Sequence, residues 1–135
     1  MTAGYSGTPL HRKLGLTEGM AVTVLGGPAQ LPELLWPVWT ALEVTDQMDG
    51  HADAVLIFTT SAAELSERTP QLKAAIAPDG MVWVGWPKRA SKIATDITED
   101  VIREIVLPTG LVDVKVCAID EQWSGLKLVI RKELR

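Results

Sequence analysis

Short apolar blocks alternate with polar stretches punctuated by glycine and proline, and the spacing inside each block separates strands from helices. Residues 21–25 form a β-branched apolar run that stops at Gly26-Gly27, which predicts a buried strand. Residues 38–44 predict a second strand. Residues 54–59 predict a third, with almost no alternation, as expected of a parallel strand covered on both faces. Ser61 and Glu64 make an S-x-x-E capping box that opens a helix, with Leu65, Leu72 and Ile76 as its apolar stripe. Pro70 is expected to divide that helix, with Thr69 capping the second piece. Pro78-Asp79-Gly80 reads as a turn and residues 81–86 as the fourth strand. Asp96 and Glu99 make a second capping box, with Asp96 the expected N-cap. The helix behind it turns Val101, Ile102, Ile105 and Val106 toward the sheet and stops at Gly110. Residues 111–119 and 126–131 alternate apolar with polar, and a hairpin connection at 120–125 joins them.

Residues 1–19 are polar, with Gly4, Gly7, Pro9, Gly15 and Gly19 as punctuation, and read as an N-terminal segment packing on the domain. Within it, residues 9–14 have room for one helical turn with Thr8 as cap and Pro9 at the first helical position. Pro32 and Pro37 hold the leucine-rich segment beside them to a turn or two. The order is β-α-β-β-α-β-α-β-β. Helices between strands imply right-handed crossovers and a mainly parallel sheet. Residues 1–135 therefore read as one α/β domain, Rossmann-like, with a mainly parallel six-stranded sheet and a C-terminal antiparallel hairpin.

Composition narrows the function classes. Cys117 is the sole cysteine, so no internal disulfide forms, and a reducing, cytoplasmic setting is expected. The N-terminus has no apolar core of a secretory signal, and no apolar run approaches the ~20 residues of a membrane helix. The net charge of -4 argues against nucleic acid as the main partner. Lys88, Arg89 and Lys92 nevertheless form a local basic patch.

Four features suggest a family: the glycine-ended first strand 22–27, the run Asp53-Ala-Val-Leu-Ile-Phe58, the stretch Ala77-Pro-Asp-Gly-Met-Val-Trp-Val84, and the terminal hairpin. This layout resembles a shortened class I methyltransferase fold. The resemblance implies six strands in the order 2-1-3-4-6-5, parallel except for the last in sequence. A closer resemblance rests on Tyr5-Ser-Gly-Thr-Pro-Leu10, Trp86-Pro-Lys-Arg-Ala-Ser91, Thr95-Asp-Ile-Thr-Glu-Asp100, Leu111-Val-Asp-Val-Lys-Val-Cys117 and Trp123-Ser-Gly-Leu-Lys127. These are similar to a bacterial family, domain of unknown function 3052. That likeness spans nearly the whole chain and carries over no residue roles.

Ligands of open α/β sheets bind outside the carboxyl ends of the strands, where strand order reverses. Here that predicts a crevice formed by Gly26, Gly27, Thr59, Ser61, Trp86, Lys88, Arg89, Lys92, Thr95 and Asp96. The glycines allow close backbone approach, and the capped helix starts suit an anion. Five tryptophans stand against one Phe and one Tyr. Trp36 and Trp39, flanking Pro37, are the candidate partner surface. Methyltransferase resemblance implies an acid and a spaced glycine set at the first strand. Here no Asp or Glu falls on that strand, and Ala29 stands at the third glycine position. The acid for the ribose hydroxyls would be Glu43 or Asp46. No cofactor is therefore expected, S-adenosylmethionine included.

No G-x-S-x-G elbow, phosphate loop or metal-ligand spacing is present, so no metal is expected and no catalytic residue is assigned. Asp120 and Glu121 read as an exposed acidic turn, with general acid–base work as the sharper option. The sequence predicts a non-catalytic module binding a small anionic ligand or a protein. The alternatives are a minimal S-adenosylmethionine-dependent methyltransferase or related transferase, and a structural homo-oligomer subunit.

Overall fold

The computed structural model describes residues 8–48 and 50–135. Tyr5, Ser6 and Gly7 of the N-terminal motif, and Gly4, lie outside the described residues. The strands are β1 (Ala21–Leu25), β2 (Glu43–Thr45), β3 (Ala52–Phe58), β4 (Ile76–Pro87), β5 (Leu111–Ala118) and β6 (Trp123–Ile130). They form one sheet in the order β2-β1-β3-β4-β6-β5, the predicted order. β1 pairs in parallel with β2 and β3, and β3 with β4. β6 is antiparallel to both β4 and β5, as the closing hairpin requires.

Period-2 alternation sorts the side chains onto two faces. One face is covered by α3 (Ala62–Ala75) and α4 (Glu99–Val106). Its core joins Val55, Ile57, Val82, Val84, Leu126 and Leu128 to Leu65, Leu72, Ile102 and Val106. The other face is covered by short pieces: α1 (Leu10–Leu14), α2 (Leu31–Leu34) and a 3-10 turn (Val38–Ala41). Its core joins Ala54, Leu56, Phe58 and Trp83 to Leu10, Leu14, Leu31 and Leu35. These are called the helix face and the turn face below.

Several local expectations are corrected. The second strand is β2 alone, because residues 38–41 of the expected strand close a 3-10 turn. There the Trp39 amide donates to the Leu35 carbonyl at 2.9 Å and the Thr40 hydroxyl to the Pro37 carbonyl at 3.0 Å. Local bonds thus satisfy a backbone that β-branched composition had favoured for a ladder. Pro70 does not divide its helix: α3 is continuous. Pro70 is on the exposed side, where water can take the carbonyl its ring leaves unbonded. Thr69 caps nothing; it is buried, and its hydroxyl donates back to the Leu65 carbonyl at 2.6 Å. In α1 the N-cap position falls to Pro9, one residue after Thr8, and α1 itself starts at Leu10. Pro78, Asp79 and Gly80 lie inside β4, as a bulge of residues 77–80 opposite the single residue Asp53.

Asp96 is the instructive correction. Thr98, not Asp96, caps α4, its hydroxyl accepting from the Val101 amide at 3.2 Å. Asp96 instead reaches α3, where its carboxylate accepts from the Ala62 amide at 2.8 Å. Ser61 caps α3 as expected, accepting from the Glu64 amide at 3.2 Å.

Between β2 and β3, none of the described residues 46–48 and 50–51 is helical. They recross β1 on the helix face, where the buried Thr23 hydroxyl donates to the Gln47 carbonyl at 3.1 Å and Met48 packs on the core. A hollow of about 340 Å3 stays open there, lined by Thr23, Val44, Thr45 and His51 among others.

Candidate functional site

The carboxyl ends of β1, β3 and β4 meet at one rim, with the order reversing between β1 and β3. At the end of β1, Gly26 adopts φ +66°, and a Cβ there would lie 2.6 Å from the Phe58 carbonyl oxygen. Gly26 is thus dictated by the neighbouring strand as well as by the turn. A Cβ on Gly27 would meet Val24 and Leu31 side chains. Both glycines keep the β1 turn low between its neighbours.

At the end of β3, Thr59 is buried, and its amide donates to the Gly85 carbonyl at 3.0 Å. Its hydroxyl accepts from the Ser61 amide at 3.1 Å. The Thr95 hydroxyl donates to the Thr60 carbonyl at 2.7 Å and accepts from the Ile97 amide at 3.0 Å. Thr59, Ser61, Thr95 and Asp96 are therefore brought together, in one network that closes on itself. The amides of Ala62 and Glu64 at the start of α3 already have side-chain partners, which withdraws them from an anion.

The other predicted residues divide. Trp86 is buried in the helix-face core and does not open onto the rim. Lys88 is half-buried, while Arg89 and Lys92 are exposed on a 3-10 turn (Arg89–Ser91) and its end. Lys92 has φ +62°, a left-handed conformation held by a non-glycine residue. The Ser91 hydroxyl donates to the Lys88 carbonyl at 2.6 Å, and the Lys88 amide to the Gln122 carbonyl at 2.8 Å. These bonds fix the basic loop to the hairpin. The tryptophan pair separates: Trp36 is 62% exposed, whereas Trp39 packs against the turn-face core.

Asp120 is a turn-former. Its carboxylate accepts from the Gln122 and Trp123 amides at 2.8 Å each, and from the Gln30 side chain at 3.0 Å. The last bond ties the start of α2 to the hairpin. Trp123 meets Phe58 edge to face, ring centroids 5.3 Å apart, and so walls the rim beside β4. The sequence flagged neither contact, because each joins residues far apart in the chain. Among the described residues no cluster of three or more His, Cys, Asp or Glu could hold a metal ion.

The two acids considered for a ribose fall at opposite ends of β2. Glu43 is the first residue of β2 and stands at the wrong end of the strand. Asp46 follows its last residue at the carboxyl end and is exposed. An exposed carboxylate there suits a pair of vicinal hydroxyls. The Asp46 carboxylate accepts from the Gln47 side chain at 2.8 Å.

The topology is that of a methyltransferase-like Rossmann domain. No family model matches the chain by sequence, and no curated protein does. By structure, it is similar to an S-adenosylmethionine-dependent methyltransferase from Aquifex aeolicus, at 18% identity and TM-score 0.64, over 90% of this chain and 87% of that one. It is also similar to 1,6-didemethyltoxoflavin-N1-methyltransferase from Burkholderia thailandensis, solved with S-adenosylhomocysteine, at 11% identity and TM-score 0.61, over 91% and 75% of the chains. A third is magnesium protoporphyrin IX methyltransferase from Synechocystis, solved with S-adenosylmethionine, at 13% identity and TM-score 0.60, over 91% and 74%.

These matches correct the expectation that the chain takes no cofactor, S-adenosylmethionine included. The folds it shares are those of S-adenosylmethionine-dependent enzymes, two of them solved with the cofactor or its product. The expectation leaned on the missing strand-one acid and on Ala29, and set these above the acid available as Glu43 or Asp46. No helix is long and apolar enough to cross a membrane among the described residues.

Proposed function

We propose that the chain binds S-adenosylmethionine at the carboxyl ends of β1 and β2 and transfers its methyl group to an acceptor. This takes the methyltransferase alternative over the non-catalytic module. The observation that carries it is the position of Asp46, immediately beyond β2 in a fold shared with cofactor-bound methyltransferases. Asp46 would accept hydrogen bonds from the ribose hydroxyls, and the Gly26-Gly27 turn would let the ligand approach the backbone. When bound, the cofactor supplies an electrophilic methyl group on a sulfonium. The chain's contribution is then position and exclusion of water. The Phe58–Trp123 wall shields the acceptor side of the rim, and the bonded basic loop gives that side a fixed edge.

Titration calorimetry with S-adenosylmethionine and S-adenosylhomocysteine tests this. Saturable micromolar binding is expected. Asp46→Ala should weaken it about tenfold or more, the loss of a hydrogen bond to a charged group. Its stability should stay within about 0.5 kcal/mol of the parent, as for an exposed residue. No heat up to millimolar ligand, or an unaffected Asp46→Ala, would overturn the reading.

A further inference from the structure

A second hollow opens on the turn face at the end of the sheet away from the rim, where β1 and β3 begin. Its volume is about 170 Å3. That is below the roughly 300–1,000 Å3 of a drug-sized pocket, so it has room for a small molecule and not for a nucleotide. Met20, Met81 and Val129 give it an apolar floor that belongs to the turn-face core. Asp53, Asp79 and Lys127 line it with charge.

These charges do not meet. Among the described residues Lys127 forms no ion pair, with these acids or any other. Two strand spacings, about 10 Å of backbone separation, lie between Asp53 on β3 and Lys127 on β6. Lys127 is half-buried and stands opposite Lys115 of β5. Burial first, and Lys115 second, lower its ammonium's affinity for the proton. A half-buried cation that faces another cation and lacks an acid is costly. Asp53 uses Oδ2 to accept from the Ala21 amide at 2.8 Å, a bond that leaves Oδ1 unused. Asp79 reaches the hollow from the β4 bulge, and bulges re-aim side chains in this way. Gly80 permits that bulge, since a Cβ there would lie 3.0 Å from the Ala77 carbonyl oxygen.

We propose that this hollow binds an aliphatic α-amino acid. Its carboxylate pairs with Lys127, its ammonium with Asp79 and Asp53, and its side chain lies over Met20, Met81 and Val129. An anion alone would meet two carboxylates, and a cation alone would meet Lys127. A zwitterion answers both ends, and charge-assisted bonds at each end fix its orientation. The site lies at the opposite end of the strands from Asp46 and the Gly26-Gly27 turn, so it does not depend on the methyltransferase reading.

Titration calorimetry with L-leucine, L-valine and L-methionine tests this. The tightest of the three is expected to bind saturably at about a millimolar or below. Its counterparts lacking only the ammonium or only the carboxylate should each bind at least about tenfold more weakly, the loss of a charge-assisted bond. Lys127→Gln and Asp79→Asn should each weaken the amino acid by about tenfold or more, and Lys127→Arg should retain it. Circular dichroism checks folding. Lys127→Gln is expected to fold because it relieves the opposed pair with Lys115, and Asp79→Asn because Asp79 is exposed.

No saturable binding of any of the three up to about 10 mM overturns the proposal. So does a single-charge counterpart that binds as tightly, or an affinity unchanged in either Lys127→Gln or Asp79→Asn. S-adenosylhomocysteine should not displace the amino acid. Displacement would put the amino acid at the rim and overturn the hollow as its site, whereas failure of S-adenosylhomocysteine to bind at all would count against the methyltransferase reading alone.

Discussion

The two faces of the sheet are covered by different means. On the helix face, α3 and α4 lay aliphatic stripes over Val55, Ile57, Val82 and Val84, and aliphatic side chains fill most of the space, with Trp86 the aromatic ring of that core. On the turn face the cover is α1, α2 and a 3-10 turn, five residues or fewer apiece. Pieces that short cannot present a long stripe. Aromatic rings fill the remaining depth: Phe58, Trp83 and Trp123 on the sheet, with Trp39 packed against the same core. Glycines make room for the rings. A Cβ at Gly85 would lie 2.6 Å from the Phe58 ring, and one at Gly125 would lie 3.1 Å from Trp83. Covering a sheet with turns therefore shifts the packing burden from helix stripes to single large side chains, and concentrates sensitivity in them.

Trp83 should show the largest effect. It is 1% exposed, and its indole donates to the Leu14 carbonyl at 3.0 Å, which holds α1 onto the sheet. Trp83→Ala should cost about 3–5 kcal/mol in urea unfolding. Trp83→Phe keeps much of the bulk but orphans the Leu14 carbonyl, and should cost about 1–3 kcal/mol. If Trp83→Ala cost under 1 kcal/mol, the contrast between the faces would collapse.

The helix face should lose less from a single polar change. Asp96→Ala removes the acceptor for the Ala62 amide and should cost about 1 kcal/mol. Hydrogen exchange sharpens the point. The amides at the start of α3 should lose protection, while those of α4, capped by Thr98, should not. Equal loss in both helices would return Asp96 to α4.

The smallest effect concerns the outer edge of the helix face. Arg103 bridges Glu99 and Asp100 on α4 to Asp113 on β5, with a distance to Asp113 of 2.9 Å. The Arg103 hydrogen bond holds the Asp113 carboxyl below its ordinary 3.8. A carboxyl depressed in the folded state favours folding above its unfolded value. That contribution is fully present above about pH 5 and is lost as pH falls through 3.8 toward the lower folded value. Urea unfolding at pH 7 and pH 3 should therefore show a smaller drop for Asp113→Asn than for the parent. An identical drop in both would detach Asp113 from the acid sensitivity.

Much of the fold is legible because it is written in local periods. The unbroken apolar run at 54–58 marks a strand covered on both faces, alternation in 126–130 marks the last strand, and the helical spacing of Leu65 and Leu72 places α3. Residues 38–41 misled because β-branched composition and a 3-10 turn after Pro37 look alike over four residues. The site was half legible. Gly26, Gly27 and the end of β3 follow from the strand ends and the fold's topology. The choice between Glu43 and Asp46 turned on where β2 begins, a boundary three residues wide.

The methyltransferase resemblance supplied the strand order; by itself, the sequence determined the six strands, the mainly parallel sheet with its closing hairpin, and the existence of α3 and α4. These depend on hydrophobic period and on topology rules that act on neighbouring elements. Only the tertiary structure decided that Asp96 serves a helix 34 residues upstream of it, and that Trp86 faces the core. Partners of this kind are chosen by packing, which brings together side chains that no local spacing relates.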